Sequence, residues 1–481
     1  MIHIKNFIGN TFTDSESLKT IDSINPATTK VIGTLPDSIK EDVDRAVASA
    51  KSAFPGWSVK TAEERASYLY KIADLIDSHA EELAYLESID QGKPLWLSKS
   101  VDIPRAAANF RFYAGAILHD SSEFFKSSET TFNYSLRQAV GVCGLISPWN
   151  LPLYLLTWKI APAIAVGNTC VAKPSEFTSM TAHKLAEIIA ESELPSGVVN
   201  LVYGYGHTVG DAITSHTDVP LISFTGGTST GKLVYKNAIE QFKKVSLELG
   251  GKNPTIIFED CDYEKALETT LRSSFVNQGE ICLCGSRIYV QKSLYSKFLA
   301  DFKEGAKALV VGDPLKETSR LGALVSEQHY SKVLSYIEIA KEEGGVIETG
   351  GKRPKSLPPE LENGYFLEPT IITGLGQESR CIQEEIFGPV VVVLPFEDDE
   401  DVLRMANDSS YGLATNLWTR DLQRAHQLSA KIDTGIVWVN TWLNRDLRTA
   451  FGGMKNSGVG REGGRYSLEF YTKVKNICIE N

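Results

Sequence analysis

The sequence predicts an α/β protein of more than one domain, with a parallel sheet covered by helices on both faces. Three observations predict it. The chain has 481 residues, too many for one ordinary core. From residue 140, short apolar runs recur with helical patterns in most of the gaps. A second pattern of the same kind starts near Lys252 and runs to about residue 450. Strands that alternate with helices at this spacing form βαβ units, whose connections put helices on both faces of the sheet.

Along the chain, Ser38 and Glu41 have capping-box spacing, and Val43, Ala46, Val47, Ala50 and Phe54 then follow on one helical face. Thr61 and Glu64 repeat the box before Leu69, Ile72, Ala73 and Ile76. Thr131–Gln138 alternates as a half-exposed strand does, and Lys473–Ile479 alternates similarly near the C-terminus. Both stand outside the main patterns, which makes them candidates for an intersubunit sheet. The first series of strands is Val140–Ile146, Thr169–Ala172, Val198–Val202, Leu221–Phe224 and Val245–Leu249. Arg287–Val290, Val390–Leu394 and Gly435–Val439 are candidates in the second. The apolar stretch from Leu151 to Ala172 contains Pro152, Lys159, Pro162, Gly167 and Asn168, so it reads as a buried helix leading into a strand, not a membrane span.

Net charge is -11, which argues against nucleic acid or an anionic membrane as partner. The seven cysteines are scattered and odd in number, which argues against a disulfide framework and for a reducing, cytoplasmic setting. Cys282 and Cys284 form a lone Cys-x-Cys pair, a poor zinc site, so no metal is expected. The N-terminal residues do not read as a signal peptide.

Ligands of parallel sheets bind beyond the carboxyl ends of the strands. Those ends here are Pro148-Trp149-Asn150, Lys173-Pro174-Ser175-Glu176, Thr225-Gly226-Gly227 and Gly250-Gly251. Glycines between a strand and a helix let backbone N–H groups approach phosphate. Glu176 stands where it can bond ribose hydroxyls, with Lys173 beside it. Cys282 sits in a Gly-flanked loop before a strand, able to present a thiolate. Taken alone, such a Cys is more often a small core residue. Glu248, at a strand end before two glycines, can reach a pocket and activate water. Together the two make a constellation.

These segments in their order resemble the aldehyde dehydrogenase superfamily over essentially the whole chain. The carrying motifs are Ser147-Pro148-Trp149-Asn150, Lys173-Pro174-Ser175-Glu176, Phe224-Thr225-Gly226, Glu248-Leu249-Gly250-Gly251-Lys252, Gly279-Glu280-Ile281-Cys282, Glu384-Glu385-Ile386-Phe387-Gly388-Pro389 and Phe451-Gly452-Gly453. Val101–Arg105, Ala108–Arg111, Gly279–Arg287, Asn440–Arg448 and Gly460–Gly464 are closest to the muconate-semialdehyde branch, with Asn444 and Ala450 as departures from its pattern.

The resemblance implies a Rossmann-type NAD-binding domain (1–119 and 140–250), an α/β catalytic domain (251–450) and a small β oligomerisation arm (120–139 and 466–481). It implies a homodimer or homotetramer acting on a small aldehyde. Cys282 would be the nucleophile, Glu248 the base and Asn150 the oxyanion donor. Ile146, Pro148, Trp149, Lys173, Ser175, Glu176, Thr225, Gly226, Gly227, Gly250, Glu385 and Phe387 would bind NAD. Arg111 and Arg445 would grip a substrate carboxylate, which points to 2-aminomuconate or 2-hydroxymuconate semialdehyde. Alternatives are oxidation of other aldehydes, transfer of the acyl group to coenzyme A, or a silent homologue.

Overall fold

A computed structural model of the chain describes residues 1–480; Asn481, the end of the expected arm, lies outside them. The first series of apolar runs forms five parallel strands: Val142–Ile146, Thr169–Lys173, Val199–Leu201, Leu221–Thr225 and Lys244–Glu248. They belong to one eight-stranded sheet, in which Val142–Ile146 lies between Thr169–Lys173 and Leu221–Thr225. The chain therefore winds outward from the first strand in one direction, returns, and winds in the other. The reversal opens a crevice beyond Ile146 and Thr225, where the connections diverge. Three short antiparallel strands complete the sheet, with Thr11–Thr13, paired to Asn6–Ile8, and Gly458–Val459 at the two edges. Asn6–Ile8 pairs with Val199–Leu201 through Phe7 and Leu201, and Gly458–Val459 pairs with Lys244–Glu248.

Helices cover both faces of this sheet. Lys40–Ser58 buries Val43, Ala46, Val47 and Ala50 against Val142, Val171 and Ile222. On the other face Pro152–Ala165 is buried almost throughout and packs with Ile103–Ile117 and Ala62–Ser78. The Thr61–Glu64 box forms: Glu64 N donates to Thr61 Oγ1 at 3.2 Å and Thr61 N to Glu64 Oε2 at 2.8 Å. The Ser38–Glu41 box does not. Ser38 Oγ is taken by Asn6 Nδ2 (2.8 Å), and Ile39 N donates to Asp42 Oδ2 (3.0 Å), one residue later than the spacing predicts.

The second α/β unit is a seven-stranded sheet with Asn253–Ile257 between Gly285–Gln291 and Ala414–Trp418. Thr131–Ala139 and Thr472–Glu480 pair with each other antiparallel within the chain, from Thr472↔Ala139 to Glu480↔Thr131. Phe124–Lys126 extends that sheet on its other edge. No helix among the described residues is long and apolar enough to cross a membrane.

Candidate active site

Two cavities meet at Cys282 and Glu248. The first, about 510 Å³, occupies the crevice at the sheet's carboxyl edge. The expected cofactor residues Pro148, Trp149, Thr225, Gly226, Gly227, Gly250, Glu385 and Phe387 line it, together with Asn150. The helix Thr228–Ile239 begins at Gly227 with no side-chain cap, so its first-turn N–H groups are left for a ligand.

Ile146, Lys173, Ser175 and Glu176 do not line this cavity. Ile146 is buried in its strand, and Ser175 is buried with its Oγ accepting from Phe177 N. Lys173 Nζ bonds Glu176 Oε2 at 3.1 Å and the Pro174 carbonyl at 3.0 Å. Phe177, the next residue along, does reach the cavity.

Cys282 is half-buried at the junction. The loop before it turns sharply: Asn277, Gln278 and Gly279 are consecutive left-handed residues, with φ of 53°, 55° and 72°. Such backbone costs a non-glycine residue about 1–2 kcal/mol, and hydrogen bonds hold it here. Asn277 Nδ2 donates to the Asn150 and Glu280 carbonyls at 3.2 Å, and Gly322 N donates to Gln278 Oε1 at 3.1 Å. Below the loop, Asn253 Nδ2 donates to the carbonyls of Cys282 (2.7 Å) and Cys284 (2.9 Å). Burial pushes the Cys282 thiol up, and the Glu385 and Glu248 carboxylates push it further. Cys284 is buried beside Ile281, Leu283 and Trp442, as a packing residue is.

Glu248 ends its strand facing both cavities, and neither carboxylate oxygen has a hydrogen-bond partner among the described residues. Burial pushes its pKa well up, with Glu462 adding to the effect. Behind it Glu462 accepts from Trp158 Nε1 (2.6 Å) and pairs with Lys159 (3.3 Å). Asn150 Nδ2 donates to the Glu280 carbonyl at 2.9 Å, which leaves its second amide proton for a ligand.

Across the first cavity, Gly251 N donates to Glu385 Oε1 at 2.8 Å, so the carboxylate lies over the two glycines. A Cβ on Gly250 would collide with it. Phe387 has φ 64° and stands edge-on to Trp149, 5.3 Å between centroids. His329 fixes it. Burial lowers the His329 pKa to about 4, so the neutral ring donates Nε2–H to the Phe387 carbonyl at 2.7 Å. His329 and Lys332 were not legible in the sequence, because they lie on a helix with no local motif.

The second cavity, about 470 Å³, carries three arginines: Arg105, Arg272 and Arg445. Arg445 Nη1 donates to Tyr154 Oη at 2.8 Å, and its guanidinium lies over Phe451 at 3.9 Å. Arg105 lies over the Tyr154 ring at 5.6 Å. None of the three has an ion-pair partner among the described residues, whereas the lining carboxylate of Asp102 is already bound to Lys93 at 2.8 Å.

Arg111, expected here, is elsewhere. It pairs on the surface with Asp74 and Asp77, each at 2.6 Å. It shares the helix Ile103–Ile117 with Arg105, but six residues at about 100° each turn it roughly 120° away. Arg105 takes its place at the cavity. It stands within the segments that carried the resemblance, but only the helix's packing tells the two arginines apart. Arg448 is exposed and paired with Asp446.

Comparison with known proteins agrees with this geometry. Residues 12–477 match the aldehyde dehydrogenase family. The chain is 50% identical over 480 residues to a 2-aminomuconic semialdehyde dehydrogenase of Danio rerio, covering 99% of this chain and 98% of that one. It is 44% identical to a 2-hydroxymuconic semialdehyde dehydrogenase of Pseudomonas sp. (strain CF600), covering all of both. The NAD+ complex of an aldehyde dehydrogenase from Bacillus cereus superposes with a TM-score of 0.97 at 40% identity, over 100% of this chain and 97% of that one. The chain belongs to the aldehyde dehydrogenase family.

Proposed function

We propose that the enzyme oxidises a short semialdehyde bearing a distal carboxylate, 2-aminomuconate or 2-hydroxymuconate semialdehyde, to the acid. One observation carries this: Arg105 and Arg445 meet at Tyr154 in the cavity that ends at Cys282, and neither has a carboxylate of its own. Both guanidinium groups are half-buried without a counter-ion, and a substrate carboxylate offers the matching planar acceptor. The names of the relatives support the same substrate class.

The first cavity fits NAD. It offers an uncapped helix N-terminus at Gly227 and a carboxylate held at Gly250-Gly251 for ribose hydroxyls, with Phe387 beside Trp149 as an apolar wall. Lys173 and Glu176 would hold the other ribose, over Ile146 and Ser175. Bound NAD accepts the hydride.

The residues of the chain do the rest. Cys282 gives its proton to solvent water, and the thiolate attacks the aldehyde carbon. The Asn150 amide and the Cys282 N–H hold the oxyanion, a contribution of about 3–4 kcal/mol where one such donor has been removed in other enzymes. Departure of hydride leaves a thioester on Cys282. Glu248 takes a proton from water, the hydroxide attacks the thioester, and the acid leaves. A base with two free oxygens suits hydrolysis better than transfer to coenzyme A.

The proposal includes the three domains expected from the sequence, a cytoplasmic setting, and a homodimer or homotetramer. Comparing kcat/KM for a carboxylate-bearing semialdehyde with that for hexanal tests the substrate class. A preference of at least tenfold for the former is expected, and equal use would overturn it.

A further inference from the structure

Asn150 is gripped on several sides by a short strap, Gln91-Gly92-Lys93, that closes the helix Ala80–Gln91. Lys93 Nζ donates to the main-chain carbonyl of Asn150 at 3.0 Å and to Asp102 Oδ2 at 2.8 Å. Gln91 Nε2 donates to Glu280 Oε2 at 2.7 Å, and it is the Glu280 carbonyl that receives the Asn150 amide. Glu87, one turn earlier on the same helix, accepts from Leu153 N at 3.4 Å and from Thr181 Oγ1 at 2.9 Å. The main chain is thus tied down at residue 150 and again three residues later.

The strap is itself held at Gly92. Gly92 has φ 95°, and its carbonyl accepts Ala323 N from the second α/β unit at 3.1 Å. Glu87, Gln91, Lys93, Asp102 and Glu280 are all buried. Packing alone would be served as well by apolar residues, because burying charges costs more than their pairing usually returns. A buried ammonium aimed at one particular carbonyl points to orientation as its role.

We infer that Lys93 and Gln91 are positioning residues for the oxyanion site: they fix the Asn150 amide where the substrate's negative charge forms. The inference rests on the reading of Asn150 as the oxyanion donor. A displacement of about 1 Å in such a group costs on the order of 100-fold in rate.

The experiment is a pair of substitutions read in two backgrounds. Lys93→Met with Asp102→Asn removes the ion pair without leaving Asp102 as a buried unpaired carboxylate. Glu87 Oε1, 3.9 Å from Lys93 Nζ, loses its cation as well, and the second background separates that loss from the effect on Asn150. The rate of the NADH burst is measured at saturating aldehyde, with NAD affinity from fluorescence. Asn150→Ala alone is expected to slow the burst by roughly 100-fold or more. The Lys93/Asp102 pair is expected to slow the wild-type burst by about 30- to 100-fold, with NAD affinity held within about threefold. Added to Asn150→Ala, it should cost less than about threefold more, because groups acting through one residue are not additive.

An unchanged burst in the wild-type background overturns the inference. So does the same loss in both backgrounds, which is what general damage would give. A full-speed Asn150→Ala enzyme would instead remove the oxyanion reading itself. If the paired variant does not fold, Gln91→Met is read by the same criteria.

Discussion

Arg445 donates to the hydroxyl of Tyr154 at 2.8 Å, and so stands fixed at the wall of the cavity that leads to Cys282. Arg105 lies over the other side of the pair, on the Tyr154 ring. Replacing either arginine by Ala is expected to raise KM for a carboxylate-bearing semialdehyde by roughly ten- to a thousandfold, from a charged hydrogen bond of about 1.5–3 kcal/mol and a partner left desolvated. Hexanal kinetics should stay nearly unchanged. Arg111→Ala, whose side chain pairs with Asp74 and Asp77, should affect neither substrate. Equal losses on both substrates would make Arg105 and Arg445 structural.

Glu248 gives a prediction in pH. Burial first, then Glu462, pushes its pKa well above 4.5, while Lys159 pulls it back. A base works only when ionised, so thioester hydrolysis should climb with pH through the raised value. Lys159→Met should move that climb further alkaline. Single-turnover acid release against pH checks both. The same shift acts on stability. A carboxyl whose folded pKa is raised binds more protons folded than unfolded, so stability falls as pH rises above the unfolded value. Glu248→Gln should therefore melt higher than wild type at pH 8, and the gap should close toward pH 4.

Gly452 has φ 151°, and a Cβ there would lie 2.9 Å from Glu248 Oε1. Gly452→Ala combines unfavourable backbone, about 1–3 kcal/mol, with pressure on the base. The expected outcome is a lower Tm and a steady-state rate that falls more than the NADH burst. Calorimetry and stopped-flow absorbance read the two effects separately.

Glu176 accepts from Lys173 at 3.1 Å and bears on cofactor choice. A phosphate brought beside this carboxylate meets like charge. The wild-type enzyme should strongly prefer NAD to NADP, and Glu176→Ala should narrow the preference by about tenfold, from roughly 1.4 kcal/mol of lost repulsion. Kd values for both dinucleotides by fluorescence titration decide it.

Much of this was legible in the sequence because it rests on periodicity and local chemistry. Each of the five parallel strands of the first sheet begins and ends within about two residues of its apolar run, since a buried parallel strand is continuously apolar. Cys282, Glu248 and Asn150 converge because they stand at strand ends and in the loop facing them. What periodicity leaves open is direction and partner. The helix Ile103–Ile117 is buried over much of its circumference, including Phe110 and Tyr113, so no amphipathic stripe told Arg105 from Arg111. The alternation of Thr131–Ala139 marks a strand but not its neighbour, which is the C-terminal strand of the same chain. Gly458–Val459 is too short to carry any pattern, yet it edges the sheet beside Glu248.

The proposed mechanism turns on a covalent acyl group at Cys282 that Glu248 releases. The most direct measurement is intact-protein mass spectrometry of Glu248→Gln after mixing with NAD and a carboxylate-bearing semialdehyde, with peptide mapping of the adduct. The expected result is an NADH burst close to one per site and an added acyl mass on the peptide containing Cys282, absent from Cys282→Ala. A burst without an adduct, or an adduct mapped to another residue, would contradict it.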